Sequence, residues 1–301
     1  MRAVVFAYHN VGVRCLKVLL ARGVQVGLVV THEDNPNETI WFESVAELCR
    51  EQGIPFITPD DPASQALKDR VAAAKPDIIF SFYYRHMLPV EVLAIAPLGA
   101  YNMHGSLLPR YRGRVPVNWA VLHGETETGA TLHEMAAKPD AGAIIAQAAV
   151  PILPDDTAFE VFGKVTVAAE QALWTVLPAM IAGKIPRLPN DLSQGSYFGG
   201  RKPEDGRIDW SKPAQDIYNL HRAVAPPYPG AWTIANGKTF TLVQARLARE
   251  KTPDLPQGLA VVDNCMFGVC GDGRALRILA LSADGQAVSP GELQQFLSTA
   301  A

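Results

Sequence analysis

The chain has 301 residues, of which 48% are hydrophobic and 19% are charged, and its formal net charge is -3. This is the composition of a globular protein with a large core, long enough for more than one domain. The charge balance gives no reason to expect strong binding to nucleic acid or to an anionic membrane. No apolar segment approaches the roughly 18 residues that a membrane-spanning helix needs.

The start of the chain and its cysteines both bear on the cellular compartment. An apolar strand pattern begins at Arg2 without a signal-peptide pattern, which predicts a cytosolic protein. None of the four cysteines has the spacing of a zinc or redox motif, so we expect reduced thiols that are buried as small apolar groups. These residues are Cys15, Cys49, Cys265 and Cys270.

Strand and helix patterns alternate from the N-terminus to residue 82. The predicted strands cover residues 2–7, 24–31, 54–57 and 77–82, and the predicted helices cover 13–20, 43–52 and 61–74. Asp60 or Asp61 is the expected N-cap of the third helix. Residues 77–82 form a nearly continuous apolar run, which indicates a strand buried on both faces by covering helices. The sequence therefore predicts a doubly wound α/β domain with a mostly parallel sheet.

The usual phosphate-binding and metal-binding motifs are not found. The first strand–helix turn, residues 7–12, reads AYHNVG rather than GxGxxG, so we expect no NAD cofactor. No GxxxxGK[ST] motif is present either. His133 and Glu134 begin like an HExxH zinc motif, but position 137 is Ala, so we predict no metal site.

The second half of the chain has a different pattern of residues and predicted elements. Residues 157–181 predict a long helix that ends before Gly183, and a stretch rich in Gly, Ser, Asn and Pro follows to about Asp205. We therefore predict a catalytic domain over 1–203 and a smaller C-terminal domain over 204–301. In the second domain a helix over 212–223 precedes short strand patterns typical of a small, OB-like β-barrel. These strand patterns cover 231–234, 239–247, 258–262, 268–270 and 275–280.

Asn102 and His104 are the strongest candidates for chemistry. They lie two residues apart at the end of a predicted buried strand, so their side chains point to the same face. An amide donor beside a titratable imidazole suits a reaction that builds negative charge on an oxygen and moves a proton. Asp140 is a turn former by default. It becomes a catalytic candidate only if the fold places it beside His104, where its carboxylate would raise the pKa of the imidazole.

Basic and aromatic residues have two interpretations each. Arg110, Arg112 and Arg114 form either a solvated loop or an anion clamp for phosphate or carboxylate, and Arg201 with Lys202 offers the same alternatives at the domain junction. The aromatic residues near candidate clefts are expected to pack in the core, with stacking on a pterin or nucleobase as the alternative. They are Tyr83, Tyr84, Trp210, Tyr228 and Trp232.

The motif around these residues resembles a known enzyme family. Asn102, the segment HGSLLPRYRG over 104–113, Thr128-Gly129 and Asp140-Ala141-Gly142 resemble, in this order, the catalytic set of the 10-formyltetrahydrofolate-dependent formyltransferases. Residues 201–210 and 222–231 resemble the opening of the family's C-terminal domain. The resemblance implies a Rossmann-like formyltransferase fold with an OB-like C-terminal domain, and 10-formyltetrahydrofolate as co-substrate.

The resemblance also implies roles for individual residues. Asn102 would stabilise the oxyanion, and His104, kept protonated by Asp140, would act as a general acid. The residues implied in folate binding are His86, Met87, Leu88, Arg114, Ala136, Ala137, Lys138, Pro139 and Asp140. The residues expected to bind the acceptor substrate are Arg112, Arg201, Lys202 and Tyr228.

Different segments of the chain are similar to family members with different acceptors. Segments 4–9, 31–36, 80–86 and 124–129 are similar to family members that formylate UDP-4-amino-4-deoxy-L-arabinose in lipid A modification, which implies a nucleotide-sugar acceptor. Residues 207–210 are equally similar to methionyl-tRNA formyltransferases. The nearly equal numbers of basic and acidic residues after position 200 disfavour tRNA.

The sequence is also compatible with other acceptors, oligomeric states and roles. Another nucleotide-linked amino sugar is an alternative acceptor, and a dimer is one option for the oligomeric state. A non-catalytic regulator that binds folate or a nucleotide would need an impaired Asn/His/Asp set, and all three residues are present.

Overall fold

A computed structural model describes residues 1–249 and 255–299 of the chain. The described residues form two compact units. Unit 1 comprises residues 1–116, 127–151 and 163–199, and unit 2 comprises 117–126, 152–162 and the described residues from 200 onward. The last segment of unit 2 begins close to the predicted boundary after residue 203, but the two shorter segments were not anticipated. The domain limits themselves stay a prediction.

Helices and strands alternate through the first part of the chain. The elements up to residue 104 are β1 (Arg2–Ala7), α1 (His9–Ala21), β2 (Gln25–Val30), α2 (Val45–Gln52), β3 (Phe56–Ile57), α3 (Gln65–Ala73), β4 (Ile78–Phe82), α4 (Val90–Leu93) and β5 (Ala100–His104). The next elements are β6 (Arg112–Gly113), α5 (Pro116–Leu122), β7 (Glu127–Glu134), β8 (Ile144–Pro151), α6 (Ala158–Ile181) and β9 (Tyr197–Phe198).

Short antiparallel strands dominate the remainder. After α7 (Ala214–Val224) the chain forms β10 (Ala231–Ala235), β11 (Lys238–Leu247), β12 (Gly258–Val262), β13 (Cys265–Val269), β14 (Ala275–Ala283), β15 (Gln286–Val288) and α8 (Pro290–Ser298). Local sequence patterns did not predict α4, β6, α5, β7, β8, β9, β15 or α8. The start of α8 is stabilised by a capping box in which the Ser289 and Glu292 side chains bond reciprocally to backbone N–H groups.

The central sheet of unit 1 has seven strands in the order β3-β2-β1-β4-β5-β7-β8. The first five strands are mutually parallel, whereas β7 and β8 are antiparallel to their neighbours. Every residue of β4 is buried, as its continuous apolar sequence predicts. The doubly wound, mostly parallel sheet is therefore confirmed. Its strand order changes direction beside β1, and ligands of such sheets bind at the carboxyl ends of the strands near this point.

The predicted start of α3 needs a correction. The helix begins at Gln65, and its N-cap is Ser64, whose hydroxyl accepts from the Leu67 N–H at 3.3 Å. Asp61 was an expected cap, but its carboxylate accepts from the Ala63 N–H at 2.8 Å and is therefore used in a turn before the helix.

The sheet of unit 2 is antiparallel throughout. Its strands follow the order β10-β11-β14-β13-β12, with β15 paired to β14. This six-stranded sheet agrees with the predicted OB-like class of the smaller domain. All four cysteines are free thiols, and three of them are buried as expected, whereas Cys265 is partly exposed. Among the residues that the structure describes, no helix is long and apolar enough to cross a bilayer.

Candidate active site

Strand pairing in unit 1 places four polar side chains on one face of the sheet. In the antiparallel pair β5–β7, Asn102 lies opposite His133 and His104 lies opposite Thr131. Side chains alternate along a strand, so Asn102 and His104 share a face, and directly opposed residues of neighbouring strands share it as well. The Asn102 Nδ2 atom lies 3.1 Å from the His133 Nε2 atom.

Asp140 completes this cluster from the loop between β7 and β8. One carboxylate oxygen, Oδ1, lies 3.6 Å from His104 Nδ1 and 3.4 Å from His133 Nε2. The other oxygen, Oδ2, accepts the Gly113 N–H at 2.8 Å. The structure therefore brings together Asn102, His104 and Asp140, and it adds His133 as a fourth member; we call these four residues the polar cluster.

The loop that carries Asp140 is held tightly against β7. A Cβ atom at Gly142 would lie 2.0 Å from the Glu134 carbonyl oxygen, so only glycine allows this approach. The Asn190 side-chain amide donates to the carbonyl oxygens of both Asp140 and Gly142, each at 3.0 Å. These contacts fix the position of the carboxylate relative to the two imidazoles.

The tautomer of His104 follows from its hydrogen bond. Its Nε2 atom lies 2.8 Å from the carbonyl oxygen of Tyr111, and because a carbonyl can only accept, Nε2 carries the proton. The Ser106 hydroxyl, which donates to the Arg110 carbonyl at 2.6 Å, helps to hold the loop that presents Tyr111. When His104 is neutral, the lone pair of Nδ1 therefore faces Asp140.

Burial and charge set the protonation states in the polar cluster. Burial lowers the pKa of His104, and the opposing effects of Asp140 and the Tyr111 carbonyl do not overcome it. Burial alone would raise the pKa of Asp140, but its interactions with His133 and His104 and the hydrogen bond from the Gly113 N–H together lower it to about 2. At neutral pH Asp140 is ionised and His104 is neutral. This differs from the expectation that Asp140 keeps His104 protonated, because desolvation of the ring outweighs the carboxylate.

The implied folate contacts all lie in unit 1. His86, Met87 and Leu88 follow the carboxyl end of β4. The His86 ring is 4.9 Å from the ring of His32, and 59% of Met87 is exposed. The Leu88 side chain is instead buried in the hydrophobic core, so it is not free to contact a ligand.

The remaining implied folate residues are more accessible. Arg114 follows β6 and is exposed. Ala136, Ala137 and Lys138 are exposed, and Pro139 is partly exposed, in the same loop that carries Asp140. No three His, Cys, Asp or Glu side chains within 1–249 and 255–299 are placed to hold a metal ion.

The predicted acceptor-binding residues are divided between the units. Arg112 lies on β6 in unit 1 and is only 8% exposed, whereas Arg110 and Arg114 are exposed. The three arginines therefore do not form a single solvated loop cluster. Arg201, Lys202 and Tyr228 belong to unit 2.

A groove of about 590 Å³ in unit 2 contains one of these residues. The Arg201 guanidinium lies 4.8 Å from the centre of the Trp119 ring and donates to the Asp205 carbonyl oxygen at 3.0 Å. Lys202 is exposed, and its backbone N–H bonds to the Asp205 carboxylate at 2.7 Å. Burial raises the pKa of Tyr228 to about 12 despite a hydrogen bond with Asn118. The groove is lined by Trp119, Leu122, Gly200, Arg201, Asp205, Arg207, Asp209, Lys212, Asp216, Ile217 and Leu220.

In the sequence, His133 stands out only as the start of an incomplete HExxH motif, so its place in the polar cluster was not predicted. The available signal was its spacing from Thr131, which puts both residues on one face of a strand. That signal identifies the face but not the residue opposite, which depends on pairing between distant segments.

Two family models match the chain. The model described as formyl transferase matches residues 2–177, and the model described as formyl transferase, C-terminal domain, matches residues 201–297. The chain belongs to the formyltransferase family. The predicted enzyme class and the predicted pair of domain types are thereby confirmed.

Solved structures show the same fold at low sequence identity. An N-formyltransferase from Helicobacter canadensis, in complex with folinic acid and dTDP-3-aminofucose, is 21% identical over 92% of this chain and 98% of its own, with a TM-score of 0.74. A sugar 3N-formyl transferase, crystallised with dTDP and 5-N-formyl-THF, is 20% identical over 95% and 98%, also with a TM-score of 0.74. A 4-N formyltransferase from Francisella tularensis is 22% identical over 79% and 94%, with a TM-score of 0.64.

Proposed function

We propose that this formyltransferase transfers the formyl group of 10-formyltetrahydrofolate to the 4-amino group of a nucleotide-linked amino sugar, with UDP-4-amino-4-deoxy-L-arabinose as the expected acceptor. The observation that carries the proposal is the convergence of Asn102, His104 and Asp140 in unit 1. The folate derivatives and the dTDP-amino sugar in the similar structures support the choice of donor and acceptor class.

The first step forms a bond between the amine nitrogen and the formyl carbon. The carbonyl oxygen then carries negative charge in a tetrahedral intermediate, and a fixed N–H donor at this position stabilises the charge as it develops. Asn102 supplies this donor. Its amide has two N–H groups, of which one points to His133 and the other is left for the substrate.

The second task is to move one proton. The attacking amine becomes positively charged when it bonds to carbon, and neutral His104 takes its proton at Nδ1. The resulting imidazolium lies 3.6 Å from the Asp140 carboxylate, which stabilises it. The imidazolium then gives the proton to N10 of the departing tetrahydrofolate as the carbon–nitrogen bond to the folate breaks. His104 thus acts as base and then as acid.

The folate contacts remain part of the proposal. His86, Met87, Arg114 and the exposed loop 136–139 present side chains to solvent in unit 1. Arg114 is a cation suited to the carboxylates of the folate tail. Leu88 takes part through its backbone only, because its side chain is buried in the core.

For the acceptor we propose that Arg201 contacts the diphosphate of the nucleotide sugar, with Lys202, Tyr228 and Arg112 as further acceptor-binding residues. Arg201 is half-buried, and its guanidinium donates to the carbonyl oxygen of Asp205 rather than to the carboxylate of that residue. The groove around it mixes basic and acidic side chains. Such a surface fits a small nucleotide better than the backbone of tRNA, which favours a continuous basic surface.

The decisive experiment measures formyl transfer from 10-formyltetrahydrofolate to a panel of acceptors, with products identified by mass spectrometry. The panel contains UDP-4-amino-4-deoxy-L-arabinose, dTDP-linked 3-amino and 4-amino sugars, and charged initiator tRNA. Turnover with the UDP sugar supports the proposal. Turnover with a dTDP sugar alone would mean that the acceptor is a different nucleotide-linked amino sugar. Turnover with tRNA alone would overturn the proposal.

A matched variant tests the Arg201 contact. Replacing Arg201 with Met keeps the packing on Trp119 but removes a charge-assisted hydrogen bond, which is worth roughly 1.5–3 kcal/mol. We expect KM for the acceptor to rise about 10- to 100-fold with kcat little changed. A lower kcat at unchanged KM would show that Arg201 does not act by binding the acceptor. The cytosolic location and a dimeric state stay predictions.

A further inference from the structure

His133 has a defined tautomer because both of its ring nitrogens have identified neighbours. Its Nδ1 atom lies 2.8 Å from the carbonyl oxygen of Glu134. A carbonyl oxygen only accepts, so Nδ1 carries a proton. In the neutral ring Nε2 then has a lone pair, and Asn102 Nδ2 lies 3.1 Å from it. The Asn102 N–H therefore donates to His133.

This bond decides which way the Asn102 amide faces. An amide can rotate by half a turn and exchange its oxygen for its nitrogen, and the two orientations have nearly the same shape. In one orientation Asn102 offers an N–H to the developing oxyanion. In the other it offers Oδ1, which repels the oxyanion. An acceptor at His133 Nε2 selects the first orientation, because Oδ1 facing that lone pair would be repelled.

The same nitrogen also lies 3.4 Å from Asp140 Oδ1. If His133 were protonated, Nε2–H would donate to Asp140, and the Asn102 N–H would lose its acceptor. The carboxylate would then be partly neutralised by His133 and would support the imidazolium of His104 less. An unprotonated Nε2 avoids both effects.

We propose that His133 is a positioning residue for formyl transfer. With its proton on Nδ1, it accepts a hydrogen bond from Asn102 at Nε2, and the negative charge of Asp140 stays available to stabilise the imidazolium of His104. The side chain is 3% exposed, so its role is exerted inside the polar cluster rather than at the surface. The inference rests on the proposed function, since it takes Asn102 as the donor to the oxyanion and His104 as the group that carries the proton.

Two replacements of His133 separate positioning from packing. His133→Gln places an amide oxygen where it can accept from Asn102, and it cannot be charged. His133→Leu has a similar volume but no acceptor. We expect His133→Leu to lower kcat roughly 10- to 100-fold, less than the ~100- to 1,000-fold expected for removing an oxyanion donor outright. KM for both substrates should change little, and His133→Gln should recover most of kcat.

A double-mutant cycle with Asn102→Ala gives the sharper readout. If His133 acts mainly through Asn102, His133→Leu should lower kcat by less than about threefold when Asn102 is already Ala, because the two effects are coupled. Equal losses in both backgrounds, or a Gln variant as slow as the Leu variant, would overturn the proposal. Melting temperatures of all variants show whether packing has been lost as well.

A measurement on the free wild-type protein keeps this inference separate from the proposed function. Long-range ¹H–¹⁵N correlation of the histidine rings identifies which nitrogen of His133 is protonated without any substrate. We expect a protonated Nδ1 and an unprotonated Nε2, as the neighbours of the two nitrogens indicate. A protonated Nε2 would overturn the inference whatever the enzyme's activity. Failure of every acceptor in the panel would overturn the proposed function while leaving this result intact.

Discussion

Each unit of this protein buries a histidine whose pKa is lowered, but the two side chains have different surroundings. His104 in unit 1 is 6% exposed and His221 in unit 2 is 2% exposed. Burial is the largest cause of the lowered pKa in both cases, and together with the neighbouring charges it brings the pKa of His221 to about 4. The charges beside the rings differ, since His104 faces Asp140, whereas Arg246 and Arg222 lower the pKa of His221 further.

The two histidine rings also differ in their hydrogen-bond partners. His221 Nε2 accepts the Ala245 N–H at 3.2 Å, so protonating it would break a bond in a positively charged environment. His104 Nδ1 has a carboxylate 3.6 Å away, beyond hydrogen-bond distance but close enough to stabilise a proton placed between them. A buried histidine thus becomes a candidate for proton transfer through its charged neighbour, and burial alone does not mark a site.

Among the changes that test this comparison, removing the charge of Asp140 should have the largest effect on kcat. Asp140→Asn leaves a side chain of the same shape but takes away the carboxylate that stabilises the imidazolium of His104. We expect kcat to fall roughly 100- to 10,000-fold, the usual range for acid–base catalysis, with smaller changes in KM. Steady-state kinetics with the best acceptor check this. An Asn variant with wild-type kcat would mean that His104 needs no carboxylate and resembles His221.

His221 should instead contribute to the pH dependence of stability. Its pKa is about 4 in the folded protein and about 6.5 in the unfolded chain, so the unfolded state takes up a proton first as the pH falls. Folding therefore loses on the order of 3 kcal/mol of stability through this group between pH 6.5 and pH 4. Denaturant unfolding at several pH values measures this slope.

The matched control for that prediction is His221→Gln, which keeps an acceptor for the Ala245 N–H and removes the titration. The slope of the unfolding free energy against pH should become shallower in the variant, and kcat should be unchanged. An identical slope would show that His221 is not the group responsible.

Moving Asp140 without changing it tests the geometry of the polar cluster. In Gly142→Ala the new Cβ would lie 2.0 Å from the Glu134 carbonyl, so the loop has to shift. A displacement of about 1 Å in a catalytic group can cost roughly 100-fold in rate, and we expect kcat to fall by up to this amount. Gly163→Ala in α6 meets nothing within 4 Å and should leave kcat unchanged. Equal behaviour of the two variants would contradict the proposed role of the loop.

The smallest expected effect is a shift in the pH profile of kcat. Because the pKa of His104 is lowered from 6.5 and the neutral ring is the base, the acidic limb of kcat should lie below pH 6.5. In Asp140→Asn the limb should move further to acid pH, since the carboxylate is what raises the pKa of His104. A limb above pH 6.5 would restore the first interpretation, in which Asp140 keeps His104 protonated.

Much of the architecture could be predicted from local sequence patterns. The continuous apolar run of Ile78–Phe82 indicated a strand buried on both faces, and the two-residue spacing of Asn102 and His104 placed them on one side of a strand. The family motif identified the chemistry and singled out Asp140. Each of these inferences depends on neighbouring residues or on the order of motifs along the chain. Both are properties of the sequence and do not depend on the tertiary packing.

The rest depended on segments that are distant in the chain. Ser64 replaced the expected cap of α3 because Asp61 is used in a local turn. The place of His133 opposite Asn102 follows from the register of β5 against β7. The low pKa of His104 follows from how completely the fold removes water from its ring. Alternation along a strand is determined by the sequence alone, whereas strand register and desolvation are decided only when the tertiary structure forms.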